Sequence, residues 1–194
     1  GFVRDVHVSK LIIDPNNNNV FYSTTQGATE YTDKVGDGAG VFKSNDRGNS
    51  WTQINNGLDS LETNILTVDP NDSETLYLGT DDDGVYKSTD GGESWKKLTV
   101  SSLSKSFGVG DIIVDPQNSN NIYIGTVDYF RLSESRGVLG DFGVYKSTDG
   151  GATWEEFNAG LNHLGVFSLE LSEENRILYA GTRAGGVYWI SLDN

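Results

Sequence analysis

Apolar residues in this chain come in short runs, each closed by a turn signal. One class of run ends on Asp-Pro or an equivalent polar turn: "KLIID" (Lys10–Asp14), "NILTVD" (Asn64–Asp69), "DIIVD" (Asp111–Asp115) and "SLELS" (Ser168–Ser172). A second class follows at once: "NVFYSTT" (Asn19–Thr25), "TLYLGTD" (Thr75–Asp81), "NIYIGTV" (Asn121–Val127) and "ILYAGTR" (Ile177–Arg183). A third opens on glycine: "GVFKS" (Gly40–Ser44), "GVYKS" (Gly84–Ser88), "GVYKS" (Gly143–Ser147) and "GVYWI" (Gly186–Ile190). A fourth starts at a tryptophan, as "WTQI", "WKKL" and "WEEF" from Trp51, Trp95 and Trp154. Runs this short, rich in β-branched and aromatic residues and punctuated by turns, predict antiparallel strands, here A to D. No segment carries a convincing helical period; the best candidate, Ser168–Arg176, aligns as an A strand and its turn.

The order A-B-C-D recurs at intervals of roughly 45 to 60 residues, which predicts blades of a β-propeller. A sandwich would not demand the same turn chemistry in every unit. The expected fold is all-β: a β-propeller of four-stranded antiparallel blades, three complete and a three-stranded fourth. Residues 1–194 form one domain or arc, with units at approximately 6–58, 59–103, 104–161 and 162–194. Aligning Gly1–Pro15 on Asn56–Pro70 puts the chain start inside a D–A connection, and the fourth unit has no D strand. The ring is therefore expected to be completed by the rest of a larger chain or by another copy.

Between strands C and D stands one phrase in triplicate: "KSNDRGNSW" (Lys43–Trp51), "KSTDGGESW" (Lys87–Trp95) and "KSTDGGATW" (Lys146–Trp154). It combines serine, acid and glycine, but it sits where the chain must reverse. Ser and Asp side chains accept bonds from nearby amides, and glycine takes positive φ there. Asp46, Asp90 and Asp149 are expected to hold their own turns, with the tryptophans covering each hairpin. Arg47 replaces the first glycine of one copy while Gly48 is kept, which marks Gly48 as the indispensable one. The pattern Ser-x-Asp-x-Gly-x-x-Trp resembles the Asp-box, or bacterial neuraminidase repeat. Its elements are Ser44, Asp46, Gly48 and Trp51; Ser88, Asp90, Gly92 and Trp95; Ser147, Asp149, Gly151 and Trp154. The resemblance implies a propeller like those of sialidases, xyloglucan-hydrolysing endoglucanases, sortilin-type receptors and photosystem II assembly factors. It also implies that the box is a peripheral structural turn and not a catalytic site.

Composition narrows the function classes. With 28 acidic against 14 basic residues the net charge is −14, and no basic cluster offsets it. Such a surface repels phosphate backbones, so nucleic acid is not an expected partner. Cysteine is absent, which removes disulfides and thiolate metal sites. No apolar run reaches the ~18 residues of a membrane span, so membrane insertion is not expected. His7 and His163 are isolated, and neither a metal nor a cofactor is expected.

Strand order puts the A–B and C–D turns at one end of each blade and the B–C and D–A loops at the other. Loops on a rigid scaffold are where binding sits. Two B–C loops are long, Gln26–Ala39 and Asp128–Phe142, and they carry the candidate sugar-stacking and hydroxyl-binding residues Tyr31, Tyr129, Phe130, Arg131 and Arg136. "YFRLS" (Tyr129–Ser133) lacks the proline of the sialidase Phe-Arg-Ile-Pro motif and follows two boxes, so that activity is not carried over. A xyloglucanase-like cleft needs two opposed carboxylates, for which Asp37, Asp111 and Asp141 are candidates, though no spacing rule pairs them. Asp81–Asp83 and Asp33–Gly38 are the acidic runs that calcium could use. The expected function is a non-catalytic extracellular or cell-envelope propeller that binds a polysaccharide or protein ligand on this face. The alternatives are a segment of a xyloglucanase-like glycoside hydrolase and a docking protein like the photosystem II assembly factors.

Overall fold

The computed structural model describes residues 6–27, 38–103, 107–128 and 141–193. Among them are fifteen strands and no helix, arranged as four antiparallel sheets. The first sheet is β1 (Val6–Asp14), β2 (Asn17–Gly27), β3 (Val41–Ser44) and β4 (Thr52–Gln53). The second is β5 (Thr63–Asp69), β6 (Asp72–Thr80), β7 (Val85–Ser88) and β8 (Lys96–Lys97). The third is β9 (Gly108–Val114), β10 (Ile122–Val127), β11 (Val144–Ser147) and β12 (Glu155–Glu156). The fourth has three strands, β13 (Val166–Ser172), β14 (Ile177–Thr182) and β15 (Gly186–Ser191). In every sheet, neighbours in sequence are neighbours in space. Three four-stranded blades and a three-stranded fourth are therefore present.

Each D strand is shorter than the apolar run suggests. It comprises two residues and begins after the tryptophan, not at it. Each A strand carries an irregularity at one shared position: Ser9, Asn64, Gly110 and Phe167 have no opposite residue on their B strand. A bulge there bends the strand and sharpens its twist. The sequence pattern does not announce it.

The chain divides into two compact units, Gly1–Thr80 with Val85–Lys97, and Asp81–Gly84 with Leu98–Asn194. In the first, β5 packs on β1 and β2 of the preceding sheet. The buried core there is Tyr22, Val41, Leu66, Val68, Leu76, Leu78, Tyr86 and Trp95. Polar ties cross the same junction: Ser73 Oγ donates to Asp14 Oδ1 at 2.9 Å and Lys43 Nζ to Gly91 O at 2.9 Å. In the second unit, β13 packs on β9 and β10 around Tyr123, Val144, Val166, Leu169, Leu178 and Ala180. The approach is close enough that a Cβ on Gly110 would stand 2.2 Å from Val166 O, so only glycine fits the bulge. Arg176 closes this junction with a bidentate pair on the buried Asp115 carboxylate at 3.0 and 2.5 Å.

The box glycines separate two costs. Gly48 and Gly92 both take positive φ, 85° and 91°. A Cβ on Gly48 would meet its nearest neighbour at 3.5 Å, whereas one on Gly92 would stand 2.5 Å from Ile54 Cδ1. Gly48→Ala should cost about 1 kcal/mol, the left-handed penalty alone. Gly92→Ala should cost about 0.5–1.5 kcal/mol more, because the end of the Ile54 side chain must also shift from its rotamer. Urea unfolding of both variants measures the difference; equal midpoints would contradict this packing.

Candidate functional site

The three boxes have one geometry. Ser44, Ser88 and Ser147 donate their hydroxyls to Oδ1 of Asp46, Asp90 and Asp149 at 2.7, 2.7 and 2.8 Å. The same hydroxyl oxygens accept from the amides of Gly48, Gly92 and Gly151 at 2.8 to 2.9 Å. Each aspartate also accepts from the backbone amide and hydroxyl of Ser50, Ser94 or Thr153, with distances of 2.5 to 2.9 Å. This hydroxyl residue before each tryptophan belongs to the clamp. Its recurrence in all three copies was the available signal, although it stands outside the Ser-x-Asp-x-Gly-x-x-Trp pattern. Arg47 takes a left-handed φ of 59° where the other copies have Gly91 and Gly150. Its Nε donates to Asn19 Oδ1 at 2.8 Å.

The tryptophans differ despite their shared phrase. Trp51 and Trp154 donate their indole N–H to the carbonyls of their own box glycines, Gly48 and Gly151. Trp95 donates to Ile54 O of the preceding blade at 2.7 Å, so it seals a junction between blades as well as covering its own hairpin.

At the opposite end of each blade, the loop necks are built from residues that the pattern did not single out. Thr25, Thr126 and Thr182 lie within the last three residues of their B strands, and each donates its hydroxyl to the glycine carbonyl that opens strand C, at 2.9, 2.9 and 3.0 Å. The repeated threonine was visible in the B-strand motif. Asn55 and Asn158 accept from the Val41 and Val144 amides at 2.8 Å, fixing the start of strand C from beyond the D strand. Glu62 bonds both stems of the first long loop, with Gly27 N on Oε2 and Gly38 N on Oε1, each at 2.8 Å. In the second long loop, Asp141 Oδ1 accepts from Asp128 N at 2.8 Å, and Arg183 donates to Asp128 O. Arg183 also lies 3.9 Å from Asp141 and over the Phe167 ring.

Tyr31, Tyr129, Phe130, Arg131 and Arg136 lie outside the described residues, as do Asp37 and most of the Asp33–Gly38 run. Of the carboxylates considered for catalysis, Asp111 lies within β9 and not on a connection. Its Oδ1 accepts from Ile112 N and its Oδ2 from Leu169 N, tying β9 to β13. Asp141 closes a loop neck. Among the described residues no three His, Cys, Asp or Glu side chains are gathered to hold a metal ion, Asp81–Asp83 included. His7 and His163 are exposed.

Antiparallel blades with a box at each C–D hairpin define the chain as an Asp-box β-propeller. It belongs to the Sortilin-Vps10 family (Sortilin, neurotensin receptor 3), whose sequence model matches residues 39–187. It is 36% identical over 96 residues to the xyloglucanase Xgh74A of Acetivibrio thermocellus, covering 45% of this chain and 11% of that enzyme. The matched stretch is thus about a tenth of that relative's length. The GH74 enzyme of Niastella koreensis superposes with a TM-score of 0.69 at 26% identity, over 96% of this chain and 29% of the enzyme. YCF48 from Cyanidioschyzon merolae has the same fold, with a TM-score of 0.63 at 10% identity over 96% of this chain and 51% of its own.

The box aspartates have an acid signature that follows from these contacts. Hydrogen bonds from Ser50 to Asp46, Ser88 to Asp90 and Thr153 to Asp149 lead the causes that lower each pKa from 3.8 to about 2. A folded-state pKa below the unfolded one stabilises the fold above the unfolded value, and that contribution disappears as pH falls through the folded one. The boxes should therefore hold at pH 5 and weaken between about pH 4 and 2. Carboxyl-selective NMR titration should find three aspartates with midpoints near 2; midpoints near 3.8 would contradict the clamp.

Proposed function

We propose that the chain is part of an extracellular or cell-envelope propeller that binds polysaccharide on its B–C/D–A loop face without cleaving it. A glucan of the xyloglucan type is the first ligand to test. One observation carries the reading: the two described carboxylates among those that sequence offered for catalysis, Asp111 and Asp141, already serve the scaffold. Asp111 accepts two backbone amides across a strand junction, and Asp141 closes a loop neck beside Arg183. A general acid must instead be free to give its proton to a glycosidic oxygen. Glu62 and Asp141 pin the necks of both long loops, which favours presentation of the loop residues Tyr31, Tyr129, Phe130, Arg131 and Arg136 to a sugar chain. A structural glucan of the xyloglucan type lies outside the cell, and that ligand is the support for the location.

A second reading has its own support. The relatives named above that are identical at a quarter or more of the aligned positions are a xyloglucanase and a GH74 enzyme, which favours a segment of a glycoside hydrolase whose carboxylate pair includes residues elsewhere. Protein docking, as the third possibility, rests on fold alone.

Affinity electrophoresis in gels containing xyloglucan, with a reducing-end assay on the same samples, separates these readings. The binding reading expects retardation, about a tenfold or greater loss of affinity in Tyr129→Ala/Phe130→Ala, and no new reducing ends. Release of reducing ends by the chain would establish the hydrolase. No retardation by any polysaccharide would overturn glycan binding, and retardation undiminished in the double variant would remove the site.

A further inference from the structure

A groove that is filled in the first unit is open in the second. In the first, Trp95 joins a cluster with Val41, Leu76, Leu78 and Tyr86, against which Ile54 and Leu58 pack. Its backbone amide donates to Asn56 O at 2.8 Å, and its indole N–H to Ile54 O. The fit is tight: a Cβ on Gly57 would lie 2.2 Å from Trp95 O. The corresponding positions of the second unit are Val144, Phe157, Leu161, Leu178, Ala180 and Tyr188. They line a shallow groove open to solvent.

Independent observations agree that a strand fits here. Gly160, the counterpart of Gly57, has φ 78°, and no described residue comes within 4 Å of where a Cβ would stand. Gly186 is equally unobstructed among the described residues, whereas a Cβ on its counterparts Gly40 and Gly143 would strike Asn55 and Asn158. Each of β3, β7 and β11 carries a two-residue fourth strand, but among the described residues β15 pairs with β14 alone. Val187 is 70% exposed, while Val41, Val85 and Val144 at the same position are at most 3% exposed.

We propose that this groove and the edge of β15 dock an extended segment of the form Trp-x-x-apolar-Asn, supplied by polypeptide outside residues 1–194. The indole enters the groove and donates to the Phe157 carbonyl, as Trp95 does to Ile54. The next two residues pair with Trp189 and Tyr188, as Thr52 and Gln53 pair with Lys43 and Phe42. The asparagine accepts from the Val187 amide, as Asn55 and Asn158 do from Val41 and Val144. A second copy of residues 1–194 is not the source. Its two segments of this form, Trp51–Asn55 and Trp154–Asn158, and the similar Trp95–Thr99 are already paired with their own C strands, and lending one would open a sheet. Addition of a strand to an exposed edge, with one anchoring aromatic, is an established mode of peptide recognition.

The probe is a fluorescein-labelled peptide with the sequence Asp149–Leu161, titrated with the intact chain and read by anisotropy. Saturable binding is expected, about 20-fold weaker when the peptide carries Trp154→Ala. Gly160→Asn in the chain places a side chain in space now empty, at a φ that asparagine tolerates. It should leave thermal unfolding unchanged and weaken the peptide at least tenfold. Hydrogen exchange should slow at Val187, Tyr188 and Trp189 when the peptide is bound. No saturation by about 1 mM, or binding indifferent to Gly160→Asn, would overturn the site. A dimer of the chain alone that Gly160→Asn abolishes would overturn the assignment to an outside segment.

Discussion

Each complete blade ends in a strand only two residues long, and two residue pairs cannot hold a strand by ladder bonds alone. The Asp-box makes such a strand possible. Its aspartate joins the hydroxyl of strand C to the amide and hydroxyl just before the tryptophan, so the reversal is fixed before strand D begins. The turn is also tied to its own A–B hairpin, because the amides of Arg47, Gly91 and Gly150 donate to Asn19, Glu74 and Asn120 carbonyls. A fixed turn then places the tryptophan, and in the second blade that tryptophan seals the junction with the first. Local hydrogen bonding and inter-blade burial are thus successive steps of one construction.

The acidity of the chain looks different once these contacts are in view. Charge alone suggests a soluble surface, yet many carboxylates are acceptors for backbone amides. Asp14, Asp69 and Asp115 each receive the amide two residues on, which is what stabilises the Asp-Pro turns. For Asp115, burial raises the pKa, but the bonds from Arg176, Gln117 N and Asn121 outweigh it and the net shift is downward. Asp111 and Glu62 likewise accept backbone amides, across a strand junction and at a loop neck. In a chain with few bases, carboxylates satisfy amides at turns, bulges and loop stems that no ladder reaches.

What was legible in the sequence follows from repetition. The strands, turns and boxes occur in several copies, so each copy vouches for the others. Glu62 occurs once, inside "SLETN", and nothing in that context separates a loop-neck clamp from a solvated acid. Asp111 looked like a candidate carboxylate because charge can be read from a sequence, while direction cannot: one residue of register decides whether it faces a loop or a neighbouring strand. Trp95 makes the same point from the other side. Its phrase nearly matches that of Trp154, and the partner of its indole is set by the preceding blade. The residues on which sugar recognition was placed lie outside the described segments, so the structure bears on their stems alone.

Burial at equivalent positions shows where the information for this architecture resides. Leu66 and Val68 on β5 are 2% and 5% exposed, while their counterparts Leu11 and Ile13 on β1 are 57% and 51% exposed. The side chains are alike and the strands are alike; the difference is whether a blade lies against that face among the described residues. Full burial of one such side chain contributes about 1.5–3 kcal/mol. A blade therefore draws much of its stability from the sheet beside it, and repeats of this kind depend on neighbours as much as on themselves. Sequence similarity between units can then predict a fold while leaving the strength of each junction undetermined. In this chain the junctions are individually tuned: by Ser73 and Lys43 in one unit, by Arg176 and Asp111 in the other. The tuning lies in the residues that do not repeat.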